Sequence, residues 1–261
     1  MFATPLSDGS ATATACRRHM SAPHNSDLTD KVAVIMGATS DIGLALATHA
    51  LERGMKVALV DSDQARLTVA LKRLSSDAAR TMAVDVDMSD LTELSKLAQR
   101  IELELGTPWL VCNNCDTGVE LSLRAVIHAV QVFAPALVER GQGHIVNIIS
   151  ADSGSASCPA MYAAAMHAIV GLSESLYREL DSLGSLVGVS LVRPTGSDRS
   201  RILAHKHRNG DSHPARSRAA DALPPERLAE EIFAAVATRR FQLFCDRPGA
   251  QYLRTVRCSG A

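Results

Sequence analysis

Aromatic residues are scarce in this sequence: they make up 3% of its 261 residues, and Trp109 is the single tryptophan. A protein that binds single-stranded nucleic acid by base stacking needs more rings than this. An excess of one charge is also missing, because 27 Lys and Arg face 28 Asp and Glu for a net charge of -1. We therefore expect neither nucleic acid nor an anionic membrane surface as a partner.

Long apolar runs are absent as well. No run approaches the roughly 20 residues that a membrane-spanning helix needs, and the first residues lack the apolar stretch of a secretory signal. The six cysteines are scattered along the chain, which predicts reduced thiols and a cytoplasmic protein rather than a disulfide scaffold. With 46% apolar and 21% charged residues, the composition is that of a globular protein with an aliphatic core.

Short apolar runs alternate with helical patterns over most of the chain. Val32–Met36 is a run of the kind that forms a buried strand, and Ile42–Glu52 has helical spacing. The alternation continues through a long helix at Leu121–Glu139, in which Pro135 predicts a kink, to a last strand at Phe241–Cys245. This pattern predicts an α/β fold: a single doubly wound, Rossmann-like parallel sheet of about seven strands with helices on both faces.

The regions outside this alternation are polar. We expect residues 1–30 to form a flexible N-terminal tail, 31–246 the folded domain, and 247–261 a C-terminal tail. Within the domain, residues 197–223 are basic and rich in turn-forming residues, which indicates a long loop. The basic residues of this loop indicate either a binding site for an acidic ligand or a lid whose charged face is in contact with water. The sequence leaves both interpretations open.

Two glycines mark the turn between the first predicted strand and the first helix. Gly37 and Gly43 allow a tight turn in which backbone N–H groups approach a diphosphate, and the helix N-terminus adds partial positive charge. Asp61 ends the next strand, where a carboxylate accepts hydrogen bonds from both hydroxyls of a ribose and repels a 2′-phosphate. The arrangement predicts a dinucleotide site and favours NAD over NADP, unless Asp61 merely ends a strand.

From about Lys31 to Asp246 the sequence resembles the short-chain dehydrogenase/reductase family. The family's turn, Thr-Gly-x-x-x-Gly-x-Gly, is altered here: Met36 replaces the threonine and Asp41 the middle glycine, and we expect Asp41 to cap the helix. The resemblance implies an NAD(P) site formed by the following residues: Gly37, Thr39, Ser40, Asp41, Ile42, Gly43, Asp61, Asp85, Val86, Asn113 and Tyr162.

Two short motifs support this resemblance. Asp85-Val86 is similar to the family's pair that contacts the adenine, and Asn113-Asn114-Cys115-Asp116 is similar to an altered Asn-Asn-Ala-Gly whose asparagine steadies the sheet. Cys112 to Cys115 also forms a Cys-x-x-Cys, but a redox or zinc site of this kind needs a second pair or a favourable helix start. We therefore predict no metal site.

Hydride transfer at a carbonyl needs a proton donor or acceptor at its oxygen. In the family, a tyrosine does this with the help of a lysine four residues on, a serine and an asparagine. Tyr162 matches the tyrosine and Ser150 the serine. The resemblance thus implies an alcohol or carbonyl as the small-molecule substrate, with Ser150 positioning its oxygen and Tyr162 exchanging its proton.

The other two catalytic positions differ from the family. Met166 stands where the lysine is expected, and the asparagine is lost with a stretch after Asn113, which leaves Ser122 as the nearest polar residue. Neither His167 nor Lys206 is expected to replace the lysine. Tyr162 should then keep a pKa near the ordinary ~10, which predicts impaired activity.

Three functional hypotheses follow. The first is an NAD(P)-dependent oxidoreductase with impaired activity. The second is a catalytically inactive relative that binds a nucleotide or a partner protein, and the third keeps the pocket but catalyses an isomerisation or a dehydration. The resemblance further implies a homodimer or homotetramer, formed through the apolar faces of the two long helices.

Overall fold

The computed structural model describes residues 27–74, 79–114, 119–149, 160–194 and 223–245. In this part of the chain, strands and helices alternate in the following order: β1 (Val32–Met36), α1 (Asp41–Glu52), β2 (Lys56–Asp61), α2 (Gln64–Leu74), β3 (Thr81–Asp85), α3 (Leu91–Glu104), β4 (Pro108–Asn113), α4 (Val119–Glu139), β5 (Gly143–Ile148), α5 (Ala160–Ser182), β6 (Val187–Pro194), α6 (Pro225–Ala237) and β7 (Gln242–Cys245).

The seven strands form one parallel sheet in the order β3-β2-β1-β4-β5-β6-β7. The direction of winding reverses between β1 and β4, so a crevice opens at the carboxyl edge where these two neighbours diverge. The predicted doubly wound fold is confirmed. The inner strands β1, β2, β4, β5 and β6 are almost entirely buried, as expected for parallel strands covered on both faces, and this explains the continuous apolar runs in the sequence.

Alternate residues of each strand contribute to the two faces of the sheet. In β1, Ala33 and Ile35 pack on the side that α1 and α6 cover, whereas Val32 and Val34 pack on the side of α3 and α4. Both cores are largely aliphatic, in agreement with the low aromatic content. No helix of the described residues is long and apolar enough to cross a membrane.

The start of α1 corrects one prediction. The N-cap is Ser40, whose backbone is extended and whose Oγ accepts a hydrogen bond from the Gly43 amide at 3.0 Å. The prediction that Asp41 caps the helix is wrong, because Asp41 already has helical geometry in the first turn. Its carboxylate there complements the positive end of the helix instead. Farther along, α4 continues through Pro135 as one helix to Glu139.

Candidate active site

The turn after β1 is built from glycines because no side chain fits there. Gly37 has a φ of 70°, and a Cβ on it would lie 1.9 Å from the Asn114 carbonyl oxygen. A Cβ on Gly43 would lie 2.3 Å from the Gly37 carbonyl oxygen and 2.7 Å from the Cα of Ala38. The first turn of α1 therefore packs directly against the backbone of the loop that precedes it.

Asn114 braces this turn from the end of β4. Its Nδ2 donates to the Ser40 Oγ at 2.7 Å and to the Gly37 carbonyl at 3.2 Å, and its amide donates to the Met36 carbonyl at 3.2 Å. Asn114 was not among the site residues predicted from the sequence. Its position as the second asparagine of the Asn-Asn pair was the available signal.

The amides at the start of α1 are open to an anion. The Gly37 and Ala38 amides donate to the Val60 carbonyl at 2.9 and 3.2 Å, whereas those of Asp41 and Ile42 find no acceptor among the described residues. Free N–H groups at a helix N-terminus, together with the helix dipole, suit a phosphate. The residues present therefore fit the diphosphate of a dinucleotide.

Asp61 lies at the carboxyl end of β2 and is 6% exposed. Its Oδ2 accepts hydrogen bonds from the Thr39 hydroxyl at 2.7 Å and the Thr39 amide at 3.1 Å. Its Oδ1 accepts one from the Ser62 amide at 2.9 Å. A carboxylate has about four acceptor sites, so the turn itself already occupies most of this one.

The end of β3 lies beside Asp61. Asp85 is exposed, Val86 is buried, and the Val86 amide donates to the Asp61 carbonyl at 2.9 Å. A cavity of about 400 Å³ opens on the other side of the turn, between α1 and α2, with Arg66 and Arg73 in its lining. Arg66 also donates to the Thr39 carbonyl at 3.2 Å. Opposite charges thus flank the turn at this end of the site.

Asn113 begins a buried chain of hydrogen bonds that joins the sheet to α5. Its Nδ2 donates to the Asn147 Oδ1 of β5 at 2.7 Å, and the Asn147 Nδ2 donates to the Ser173 Oγ of α5 at 2.8 Å. The Ser173 hydroxyl in turn donates a hydrogen bond to the Ile169 carbonyl at 2.7 Å. The chain fixes α5 against β4 and β5, and neither Asn147 nor Ser173 was predicted from the sequence.

Tyr162 is the third residue of α5 and is 6% exposed. It packs in an apolar cluster with Ile149 at the end of β5, with Met166 one turn along the helix, and with Leu191 of β6. Met166 is itself buried, so the predicted lysine position faces the same cluster as the phenol. The side chains of Ser150 and Ser122, and the whole of Lys206, lie outside the described residues.

Two other candidate groups take no part in this cluster. His167 is exposed, and its Nδ1 bonds to the Ala163 carbonyl at 2.7 Å, one turn back along α5. Cys112 is fully buried in β4, and burial raises the pKa of its thiol. A reactive cysteine needs the opposite shift. No cluster of metal-ligating side chains is found in the described parts of the chain, and Cys115 lies outside them.

Comparison with known proteins places this chain in a family. The family model for short chain dehydrogenases matches residues 31–209. An uncharacterized oxidoreductase of Staphylococcus aureus strain MW2 is 28% identical over 196 residues, which cover 68% of this chain and 83% of that protein.

Solved structures agree with this assignment. A short-chain dehydrogenase/reductase from Burkholderia phymatum in complex with NAD is 30% identical, with a TM-score of 0.70 over 84% of this chain and 90% of that one. A metagenomic short-chain oxidoreductase in complex with NADP is alike in fold, at 23% identity and a TM-score of 0.65 over 84% of this chain and 97% of that one. On its sequence and its fold, the chain belongs to the short-chain dehydrogenase/reductase family.

Proposed function

We propose that this protein is a nicotinamide-dependent oxidoreductase that transfers a hydride between NAD and a small alcohol or carbonyl compound. One observation carries the proposal: the open first-turn amides of α1 and the phenol of Tyr162 lie at the same carboxyl edge of one parallel sheet. Ligands of doubly wound sheets bind at this edge, across the switch in strand order.

Different residues of the chain bind different parts of the cofactor. The amides of Asp41 and Ile42 hold the diphosphate, and the Asn114 brace keeps the turn in the shape that exposes them. Asp85 and Val86 border the adenine, while Asn113 supports the sheet beneath the cofactor. The Oδ1 of Asn113 is buried and accepts no hydrogen bond from the described residues, which suits a polar group bound above it.

We propose NAD rather than NADP as the cofactor. The Asp61 carboxylate favours the ribose hydroxyls of NAD and repels a 2′-phosphate. The solved relative at 30% identity is itself a complex with NAD. Arg66 and Arg73 act in the opposite direction, since two cations near the turn attract a phosphate. A direct binding competition between NADH and NADPH measures which of these two effects is larger.

The nicotinamide, when bound, supplies or accepts the hydride. Tyr162 donates a proton to the carbonyl oxygen during reduction and removes it during oxidation, and Ser150 holds that oxygen by a hydrogen bond. General acid–base help of this kind contributes about 10²- to 10⁴-fold to a rate. We expect part of this rate enhancement to be lost, because Met166 offers no charge to stabilise the phenolate.

The second candidate is a catalytically inactive relative that binds the nucleotide without turnover. Buried Met166 in place of the lysine is the observation that favours it. In that case the chain retains affinity for NADH, and turnover appears only after Met166→Lys.

Equilibrium titration with NADH and NADPH, followed by a turnover assay on a panel of secondary alcohols and ketones, tests the proposal. We expect tighter binding of NADH, measurable turnover, and its loss by about 100-fold or more in Tyr162→Phe. Tyr177→Phe is the matched control. Tyr177 also lies on α5 but farther along the helix, where it packs against Phe241. Absence of binding to either nucleotide would exclude an oxidoreductase.

We further propose that the protein forms a homodimer or homotetramer through exposed faces of α4 and α5. Exposed apolar residues on these helices, such as Val138 and Met161, support this assembly. Light scattering measures it directly, and a monomer at assay concentrations would contradict it.

A further inference from the structure

The proposed function leaves Tyr162 without the charge that a lysine would supply. Met166 holds that position with an uncharged thioether and is 3% exposed. A cation on another element can provide the charge instead, if the fold brings it to the same edge and the same face of the sheet. Strand β6 carries such a residue.

The alternation of β6 assigns Arg193 to the face of Tyr162. Leu191 packs in the cluster of Tyr162 and Met166, whereas Val192 packs on the opposite face with α1 and α6. Side chains two residues apart in a strand lie on one face. Arg193 therefore follows Leu191 on the Tyr162 face, about 7 Å nearer the carboxyl edge.

The register of β5 and β6 brings Arg193 close to the tyrosine cluster. Ile148 is paired with Val192, and the Ile149 amide donates to the Val192 carbonyl at 2.9 Å. Ile149 and Arg193 are thus neighbours on adjacent strands, about 5 Å apart. Ile149 is fully buried against Tyr162, so one strand spacing separates Arg193 from a residue that packs on the phenol.

An arginine is an unusual residue for this position. The residues that precede it on the same face, Val187, Val189 and Leu191, are all apolar and buried, yet Arg193 is half-buried and its Nε is buried. Charged groups are placed in such surroundings only where another group compensates for the loss of water. Arg193 therefore brings a positive charge to the edge of the cluster that holds Tyr162.

Three other cationic or titratable side chains on the neighbouring elements have other surroundings. On α4, Arg124 is exposed, and its charge acts together with that of His128 on Asp87. On α5, His167 is exposed and bonds to its own helix. On β5, His144 lies at the amino end of the strand, far from the carboxyl edge.

We propose that Arg193 supplies the positive charge that favours the phenolate form of Tyr162, in place of the lysine that Met166 replaces. The proposal rests on the proposed function. Arg193 is a positioning residue that acts through Tyr162 and does not itself exchange the proton. A guanidinium suits this role because it carries its positive charge on a planar group with several N–H donors.

The titration of Tyr162 tests this proposal without an activity assay. The chain has 3 tyrosines, so NMR of ring-labelled tyrosine resolves each, and Tyr162→Phe assigns the signal. We expect Arg193→Gln to raise the pKa of Tyr162 by about one unit or more, Arg193→Lys to leave it nearly unchanged, and Tyr177 to be unaffected. Arg100→Gln, on an exposed arginine paired with Glu104 at 2.6 Å, is the matched control.

A double-mutant cycle extends the test to turnover. We expect Arg193→Gln to lower turnover at neutral pH by about tenfold, and Met166→Lys to raise it far more in the Arg193→Gln background than in the unaltered chain. Arg193→Met takes the place of Arg193→Gln if that variant does not fold. An unchanged pKa of Tyr162 in the folded variant, or equal gains from Met166→Lys in both backgrounds, would overturn the proposal. A shifted pKa in a chain without turnover would overturn only the proposed function.

Discussion

Thr39 is hydrogen-bonded to the carboxylate of Asp61. Both its hydroxyl and its amide donate to the Oδ2 of Asp61, at 2.7 and 3.1 Å, and this is the carboxylate that we expect to hold the ribose. Thr39 and Asp61 were both predicted as site residues from the sequence, but their bond to each other was not. Their 22-residue separation is bridged only by the adjacency of β1 and β2.

Removing the Thr39 hydroxyl should therefore strengthen the binding of NADH. Thr39→Val keeps the shape of the side chain and frees one acceptor site on Asp61. We expect the dissociation constant of NADH to fall by about 3- to 10-fold, because one such hydrogen bond contributes about 0.5–1.5 kcal/mol. Thr68→Val, on the exposed surface of α2, is the control. Weaker binding of NADH by Thr39→Val would mean that the hydroxyl positions Asp61 rather than blocking it.

The residues that hold the site together were harder to predict than those that line it. Asn147 and Ser173 are 26 residues apart, and Asn114 and Ser40 are 74 apart. A polar residue within an apolar strand indicates that a partner exists, but the sequence does not say which residue it is. The glycines and Asp61 stood out because of their spacing relative to strand and helix ends, whereas Tyr162 was identified through the resemblance to the family.

At the scale of elements, α1 and α5 each contain a glycine, and the two differ in whether packing leaves room for a Cβ. Gly43 lies in the first turn of α1, where a Cβ would meet backbone atoms at 2.3 Å and 2.7 Å. Gly171 lies in α5, where a Cβ would have no atom of another described element within 4 Å. The two glycines look alike in sequence, but only the first is required by packing.

Alanine substitutions at these glycines should have opposite effects on stability. We expect Gly43→Ala to lower the free energy of unfolding by about 3 kcal/mol, because backbone atoms cannot move aside for the new methyl group. Gly171→Ala should raise it by about 0.5–1 kcal/mol through the better helix propensity of alanine. Urea denaturation measures both. A neutral effect of Gly43→Ala would show that the turn after β1 is looser than its contacts indicate.

Helix boundaries followed closely from the sequence, because apolar spacing defines where a helix meets the sheet. The cap of α1 was the exception: two polar residues, Ser40 and Asp41, stand side by side, and both are good N-caps. Backbone geometry decides between them. Ser40 has the extended backbone of an N-cap, and its hydroxyl also accepts a hydrogen bond from Asn114, just after β4.

At the scale of the whole molecule, His49 couples α1 to α6. Its ring lies 5.6 Å from that of Phe233, and its pKa is below the ordinary 6.5 because burial disfavours the charged ring, with nearby Arg53 adding to the effect. The folded protein thus binds a proton at this site more weakly than the unfolded chain. The contribution of His49 to stability is therefore fully present above pH 6.5, and it is lost as the pH falls from that value through the lower pKa of the folded protein.

Replacing His49 should reduce this acid sensitivity. We expect His49→Gln to lose less stability than the unaltered protein between about pH 7.5 and about pH 5.5, measured by urea denaturation at each pH. His167→Gln removes an exposed histidine and serves as the control. An equal loss of stability in His49→Gln and the unaltered protein would assign the acid sensitivity to other groups.

The overall architecture could be predicted because parallel strands buried on both faces have a recognisable sequence pattern. Each strand is a short apolar run, each helix repeats its apolar residues every three or four positions, and the crossover rules leave few topologies. The pairing of a charged side chain with a residue distant in sequence has no such pattern. The arginine of β6 and the tyrosine of α5 are brought to one edge only by the fold.

Trp109 stands at the start of β4, 4% exposed, with the Lys31 Nζ 4.4 Å from its ring centroid. Because it is the chain's one tryptophan, all indole emission comes from a fixed point, about 13 Å along β4 from Asn113. Resonance energy transfer from this single donor to a reduced nicotinamide would report occupancy of the crevice without any attached dye.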